Sequence, residues 1–175
     1  MKNLETKFER RFLLADLPAP LTRASEHLQY FDDYLTETRL WLRQIRNPQT
    51  RQRSGYFVQK YTVAPPDLSG FASAEIELTE REYEVLSVFE GNQLRYNRYS
   101  LTLGTGETML IDMFLNRELW NLVLATIEFS TEQKMKSFEP PLFVKAEITQ
   151  DEFFSPVKLI DQNIEEIRRR IFAGI

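Results

Sequence analysis

The chain has 175 residues, of which 42% are hydrophobic and 27% are charged, and it contains no cysteine. These values are typical of one globular domain, and the lack of cysteine excludes disulfide bonds, thiolate metal sites and a cysteine nucleophile. The net charge of −4 argues against a nucleic-acid surface, although it allows a local basic cavity for a small anion.

The start of the chain is too strongly charged for a signal peptide. No apolar stretch approaches the roughly 18 residues that a membrane span needs. We therefore expect a cytoplasmic protein that binds neither a membrane nor a nucleic acid.

Alternating apolar and polar residues predict eight strands, several of them at the spacing of hairpins. In chain order these strands are 7–14, 30–35, 38–46, 56–63, 74–78, 94–103, 109–116 and 122–129. Thr79 is a typical N-cap for a helix that ends before Gly91, residues 130–138 predict a second helix, and residues 159–173 predict an amphipathic C-terminal helix. The pattern favours an antiparallel sandwich or barrel, because the alternation of strands and helices that builds parallel sheets is missing.

Charged and polar side chains recur on one face of strand after strand. Lys7, Glu9 and Arg11 share a face of the first strand, and Arg39 and Arg43 share a face of the third. Two architectures fit this pattern: an antiparallel sheet with one solvated face, or a closed barrel whose polar face points inward. The pattern alone favours the open sheet, since a solvated face needs no partners for its charges.

Short motifs follow one another along the chain in a specific order. They are Lys7-Phe8-Glu9-Arg10-Arg11, Asp33-Tyr34-Leu35, Thr38-Arg39-Leu40-Trp41-Leu42-Arg43, Gln59-Lys60, Glu75-Ile76-Glu77, Asn97-Arg98-Tyr99, Ile111-Asp112-Met113, Thr126-Ile127-Glu128, and Pro140-Pro141 with Glu147-Ile148-Thr149. Together they resemble the CYTH, or triphosphate tunnel, superfamily, which includes class IV adenylyl cyclases, thiamine triphosphatases and bacterial tripolyphosphatases. The resemblance implies one α+β domain over residues 1–175, with a closed or nearly closed eight-stranded antiparallel β-barrel and flanking helices.

The resemblance also implies the chemistry of a site inside the barrel, where basic side chains bind the phosphates and acidic ones hold Mg²⁺ or Mn²⁺. Carried over by position, the phosphate-binding residues are Arg11, Arg39, Arg43, Lys60 and Arg98. The metal ligands carried over in the same way are Glu9, Glu77, Asp112 and Glu128. Lys60, with Tyr34 beside it, stands at the position of a lysine that is important for cleavage, so both are expected to be catalytic.

Five positions depart from the pattern of the superfamily, and one of them, Arg11, only exchanges the expected lysine for arginine. Lys7 and Thr126 stand where carboxylates are expected, which predicts weaker binding of a divalent metal. Trp41 and Tyr96 stand where cations are expected, and their rings either stack on a ligand or fill unused space, the second being the preferred interpretation. Lys7 is expected to pair with a nearby carboxylate and so to replace the metal structurally.

Three functions remain open from the sequence. The first is binding of a triphosphate or another phosphorylated polyanion, with metal-dependent hydrolysis, or second to it adenylyl cyclase activity, if the protein is an enzyme. The second is a CYTH-like binding or regulatory module without catalysis, and the third is a structural protein with an internally paired tunnel. The expected partner is a phosphorylated or polyanionic small molecule, and a homodimer is left open.

Overall fold

The computed structural model describes residues 5–89 and 91–173, which form nine strands and four short helices. The strands are β1 (Lys7–Leu14), β2 (Leu28–Leu35), β3 (Leu40–Arg46), β4 (Arg53–Ala64), β5 (Asp67–Leu78), β6 (Gly91–Thr102), β7 (Thr108–Phe114), β8 (Val123–Phe129) and β9 (Val144–Glu147). The helices are α1 (Glu80–Leu86), α2 (Glu132–Ser137), α3 (Pro156–Leu159) and α4 (Ile164–Phe172). Within these ranges, none of the helices is both long and apolar enough to cross a bilayer.

Eight of the strands close into an antiparallel barrel. Their order around the barrel is β5-β4-β3-β2-β6-β7-β8-β1, and β1 closes it by pairing Lys7 with Phe71 and Phe8 with Gly70 of β5. The closed barrel and the α+β class that the motifs predict are confirmed. The open sheet that the strand pattern alone favours is wrong, because closure turns the polar face inward.

The second edge of β1 is shared between two strands. Its first residues pair with β5, whereas its later residues pair with β9, where Phe12 lies opposite Glu147 and Leu13 opposite Ala146. The strand β9 has only four residues and is absent from the predicted strands, because so short a segment shows little alternation. It completes the wall of the barrel where β5 turns away.

Two apolar clusters lie on opposite sides of the barrel wall. The outer cluster joins β1 and β6–β8 to α2, and its members include Phe12, Tyr99, Met109, Ile111, Ile127, Met135 and Phe138. The inner cluster fills one end of the barrel with side chains from the C-terminal segment, and its members include Leu13, Leu94, Phe114, Leu124, Ile148, Phe154, Leu159 and Ile167. The polar interior is therefore closed at this end by an apolar plug.

The C-terminal helix is shorter than predicted and starts later. The predicted helix of 159–173 is replaced by α3, a turn and α4, which begins at Ile164. Asn163 accepts hydrogen bonds from the backbone N–H groups of Glu165 and Glu166, and Glu166 bonds back to the N–H of Asn163. This capping box starts a new helix and divides the predicted one. At the first helix, the predicted N-cap Thr79 is confirmed by the same motif.

A polar cluster fastens β9 to β1 on the outside of the barrel. Arg10 donates two hydrogen bonds to the carboxylate of Glu147 and one to the carbonyl oxygen of Phe138. Thr149 donates to Glu147 at 2.7 Å and accepts a hydrogen bond from the N–H of Arg11 at 3.0 Å. The hydrogen bonds from Arg10 hold the pKa of Glu147 below its ordinary value.

Glu147→Gln removes the charge that pairs with Arg10, so it is expected to lower the free energy of unfolding at pH 7. The loss should be only about 0.5–1 kcal/mol, because the Glu147 side chain is 41% exposed and solvent screens the pair. The lowered pKa means that this stabilisation is present above the unfolded pKa of about 4.3 and is lost as the pH falls through the folded value. Urea unfolding of wild type and variant at pH 7 and pH 3 checks this. A difference that is as large at pH 3 as at pH 7 would contradict it, and Glu139→Gln, at an exposed position, is the control.

Candidate active site inside the barrel

The strand register places eleven charged side chains of the described strands on the inner face of the barrel. The cations are Lys7, Arg11, Arg43, Lys60 and Arg98. The carboxylates are Glu9, Asp32, Glu75, Glu77, Asp112 and Glu128. Because opposite residues of an antiparallel pair share a face, most of these side chains meet a charge of the opposite sign.

Arg43 and Asp32 form the most deeply buried pair. Arg43 Nε and Nη2 each lie 2.8 Å from one oxygen of Asp32, which is fully buried. Tyr96 donates its hydroxyl to the same carboxylate at 2.8 Å, and Glu75 accepts from Arg43 at 3.1 Å. Burial alone would lower the pKa of Arg43, but the hydrogen bonds and charge of Asp32 outweigh it and raise this pKa.

Arg98 and Asp112 form a second two-pronged pair. Arg98 Nε and Nη2 lie 2.7 Å from the two oxygens of Asp112. The ring of Tyr30 lies close to both arginines, since the guanidinium carbons of Arg98 and Arg43 are 4.6 and 5.1 Å from its centroid. Burial opposes the charge of Arg98, yet the charge of Asp112 raises its pKa well above the ordinary value. Two guanidinium groups are thus held near one ring.

Two lysines pair with glutamates nearer the start of β1. Lys60 donates to Glu9, which is buried, and its ammonium lies 3.9 Å from the centroid of Phe71. Lys7 lies 3.7 Å from Glu128, and both side chains are about half exposed. Lys7 therefore pairs with a carboxylate, as the sequence predicts. We call Asp32–Arg43, Asp112–Arg98 and Glu9–Lys60 the three interior pairs.

Arg11 faces the interior but points to the C-terminal plug. Its guanidinium donates to the backbone carbonyl oxygens of Ile148, Thr149 and Phe154, at 3.2–3.4 Å. Burial lowers the pKa of Arg11, and the charge of Glu9 offsets part of this effect. Contact of Arg11 with phosphate remains a prediction, because in this structure its guanidinium binds the carbonyl groups of the plug.

Aromatic rings occupy the space beside the interior pairs. Trp41 stacks on Tyr34 with 5.1 Å between centroids, and Tyr96 stacks on Tyr30 at 5.2 Å. The indole Nε1 of Trp41 is buried and has no hydrogen-bond partner among the described residues. Burial raises the pKa of Tyr34 and of Tyr96 well above the ordinary value, so both hydroxyls stay protonated at neutral pH. Trp41 and Tyr96 thus stack on tyrosines of the interior, and the preferred interpretation, that they fill unused space, stays a prediction.

The structure does not bring every predicted residue into this cluster. Arg39 is exposed in the turn before β3, and its guanidinium lies 4.9 Å from the ring of Tyr61, which faces outward. Glu77 is exposed on β5. Asp32 is absent from the residues that the sequence predicts for the site. Its position could have indicated it, because Asp32 lies on the same strand face as Tyr34 and opposite Arg43 in the hairpin.

The four predicted metal ligands are not assembled as a cage. Glu9, Asp112 and Glu128 each face a cation, while Glu77 lies exposed. Over residues 5–89 and 91–173, no group of three or more acidic or histidine side chains is arranged to hold a metal ion. As arranged here, these residues do not fit a resident divalent ion, and their role as ligands remains a prediction.

Comparison with known proteins gives one similar sequence and the same fold. No protein-family model matches the chain. The chain is 29% identical over 148 residues to an inorganic triphosphatase of Nitrosomonas europaea, which covers 83% of this chain and 91% of that protein. Two crystal structures, one of an inorganic triphosphatase and one described as a hypothetical protein, each give a TM-score of 0.58 at 23% identity. They cover 88% of this chain and 93% and 96% of theirs, which establishes the fold.

Asp32→Ala is expected to lower the free energy of unfolding by about 3–5 kcal/mol, because it removes the buried carboxylate that binds both prongs of Arg43 and leaves only the half-exposed Glu75 as a partner. Asp33→Ala is the matched control, since Asp33 is partly buried, faces outward, and has a pKa that burial raises. The control should cost about 0.5 kcal/mol. Urea unfolding at pH 7 measures both, and equal losses would show that Asp32 has no special structural role.

Proposed function

We propose that this chain, which resembles the CYTH superfamily in sequence and shares its barrel fold, binds a triphosphate inside the barrel and hydrolyses it to diphosphate and phosphate. The observation that carries the proposal is the convergence of Arg43, Lys60 and Arg98 on one interior from three different strands. The similarity to an inorganic triphosphatase supports hydrolysis and does not favour the alternative of a module without catalysis.

Such a site suits phosphoryl transfer, because this reaction depends on positioned positive charge more than on covalent catalysis by the protein. Guanidinium groups bind phosphate oxygens through two parallel hydrogen bonds, and a lysine supplies a compact point charge. We assign phosphate binding to Arg43 and Arg98, and contact with the phosphoryl group that is cleaved to Lys60. Tyr34 contributes as a neutral donor, because its raised pKa excludes a role as a base at neutral pH.

The three cations are partly accessible to solvent. The side chain of Lys60 is 32% exposed, that of Arg98 20% and that of Arg43 11%. The exposed carboxylates of Glu75, Glu77 and Glu128 lie beyond them.

We include Mg²⁺ or Mn²⁺ in the proposal as a counter-ion that arrives with the triphosphate and forms part of the substrate. A metal that arrives with the substrate is supported by the paired carboxylates, because among the described residues they form no preassembled site for a metal ion. Glu9, Asp112 and Glu128 are the carboxylates that would face such a complex. The cytoplasmic location expected from the sequence remains a prediction.

Lys60→Gln is expected to lower kcat/KM for tripolyphosphate by about 100-fold, because it removes the point charge and keeps a hydrogen-bonding partner for Glu9. Phosphate release with Mg²⁺ or Mn²⁺ measures the effect. Lys158→Gln, on the exposed face of α3, is the control and should retain activity within about twofold. Absence of hydrolysis by the wild type with either metal would refute the proposed function.

Lys7→Glu is expected to strengthen Mn²⁺ binding by about tenfold, because it replaces a repulsive charge with an attractive one. Opposite charges about 5 Å apart at an effective dielectric of about 20 interact by roughly 3 kcal/mol. Solvent screens part of this energy, because Lys7 is about half exposed. Isothermal titration calorimetry with Mn²⁺ measures the affinity. Lys145→Glu, an exposed position on β9, makes the same change in net charge away from the interior. Equal effects of the two substitutions would show that Lys7 does not act on a metal site.

A further inference from the structure

One buried hydrogen-bond donor of the barrel interior has no acceptor. Trp41 is only 8% exposed, and its indole Nε1 has no partner among the residues that the structure describes. An indole N–H donates and never accepts, so only an acceptor can satisfy it. Buried donors in folded proteins are nearly always paired, and a donor that is not paired needs an explanation. The Trp41 N–H is therefore a candidate contact for a ligand that carries an acceptor.

The strand register places this donor beside the cations that we assign to phosphate. Trp41 and Arg43 lie on the same face of β3, and the guanidinium carbon of Arg43 is 5.6 Å from the centroid of the Trp41 ring. Trp41 lies opposite Val58 of β4, which makes Lys60 its diagonal neighbour on the inner face. An anion that binds to both cations therefore lies next to the indole.

A half-exposed carboxylate holds the third contact of Arg43 in this region. Glu75 accepts a hydrogen bond from Arg43 Nη1 at 3.1 Å, and it lies opposite Val58, in the same cross-strand row as Trp41. The side chain of Glu75 is 48% exposed, so it can turn to solvent when a phosphate takes its place. Such an exchange leaves the two hydrogen bonds from Arg43 to buried Asp32 intact.

We propose that Trp41 is a ligand-binding residue, whose indole N–H donates a hydrogen bond to a phosphate oxygen of the bound triphosphate. The inference rests on the proposed function and adds a neutral donor to its three cations. Hydrogen bonds to an ionised acceptor are stronger than those between neutral groups. The neutral indole contributes such a bond without adding charge to an interior in which charges of both signs already balance closely.

Packing alone explains the ring of Trp41 and leaves the choice of indole unexplained. The ring stacks on Tyr34, a contact that a phenylalanine ring can also make. A buried N–H without an acceptor costs stability, so a position that serves only to fill space gains nothing from it. A phosphate acceptor removes this cost when the ligand binds.

The donor can be observed directly, because the chain has only two tryptophans. Nuclear magnetic resonance of the labelled indole groups gives two N–H resonances, which Trp120→Phe assigns. Trp120 is 52% exposed and lies between β7 and β8, so its resonance is the internal control. The probe is a triphosphate analogue with imido bridges, which is not hydrolysed, added with diamagnetic Mg²⁺.

A new hydrogen bond to phosphate should move the proton resonance of the Trp41 indole downfield and leave that of Trp120 in place. Calorimetry under the same conditions shows whether the analogue binds. A Trp41 resonance that does not move although the analogue binds would overturn the proposal.

A change of one ring atom separates the N–H from the rest of the side chain. In the Trp120→Phe protein, biosynthetic replacement of tryptophan by benzothienylalanine puts sulfur in place of the Trp41 N–H and keeps both fused rings. Binding of the analogue should weaken by about tenfold, because one hydrogen bond to an anion is lost and the packing is kept. Equal affinity of the two proteins would overturn the proposal.

Glu75→Ala tests the place that we assign to the phosphate. It should strengthen binding of the analogue by about threefold, because no carboxylate then has to leave Arg43 Nη1. Glu139→Ala removes the same charge at an exposed position outside the barrel and should leave the affinity unchanged. Equal effects of the two substitutions would count against this place for the phosphate.

These outcomes separate the role of Trp41 from the proposed function. Hydrolysis of tripolyphosphate by a protein whose Trp41 resonance does not respond to the bound analogue would overturn the role of Trp41 alone. Absence of both binding and hydrolysis would overturn both.

Discussion

Neutralisation of charge inside a closed barrel is the constraint on which this structure depends. An eight-stranded barrel has an interior that side chains just fill, and an isolated charge there is costly. The chain meets this constraint with two-pronged arginine–carboxylate pairs on facing strands, a lysine–glutamate pair, and a guanidinium that bonds backbone carbonyls. The same pairs fix which side chains can face a ligand, so the fold and the proposed chemistry share one set of contacts.

The sequence predicts the strands well and the closure of the barrel only through motif order. Alternation with a period of two is identical for a face that points to solvent and for one that points into a barrel. What separates the two cases is the pairing of Lys7 and Phe8 with residues near 70, a contact between distant segments that leaves no local signal. The resemblance to a barrel family supplied this information.

The candidate site is predictable in its cations and not in their partners. Arg43, Lys60 and Arg98 lie on the predicted face, because strand alternation fixes it. Arg39 differs because β3 begins at Leu40, two residues later than predicted, after a turn in which Glu37 adopts a positive φ of 60°. Arg11 lies on the predicted face too, but the carbonyl groups that it binds belong to a segment 137 to 143 residues further along the chain.

The shared edge of β1 has a consequence for how the chain folds. In the described structure β1 pairs only with strands that follow much later in the chain. On one edge, its last residues gain their backbone partners only when Val144–Glu147 has been made. Contacts between distant segments slow folding because a large loop must close before they form. During synthesis the N-terminal strand therefore leaves the ribosome long before its neighbours exist. The barrel wall is completed only after Val144–Glu147 have been made, so until then one edge of the end of β1 lacks its backbone partners.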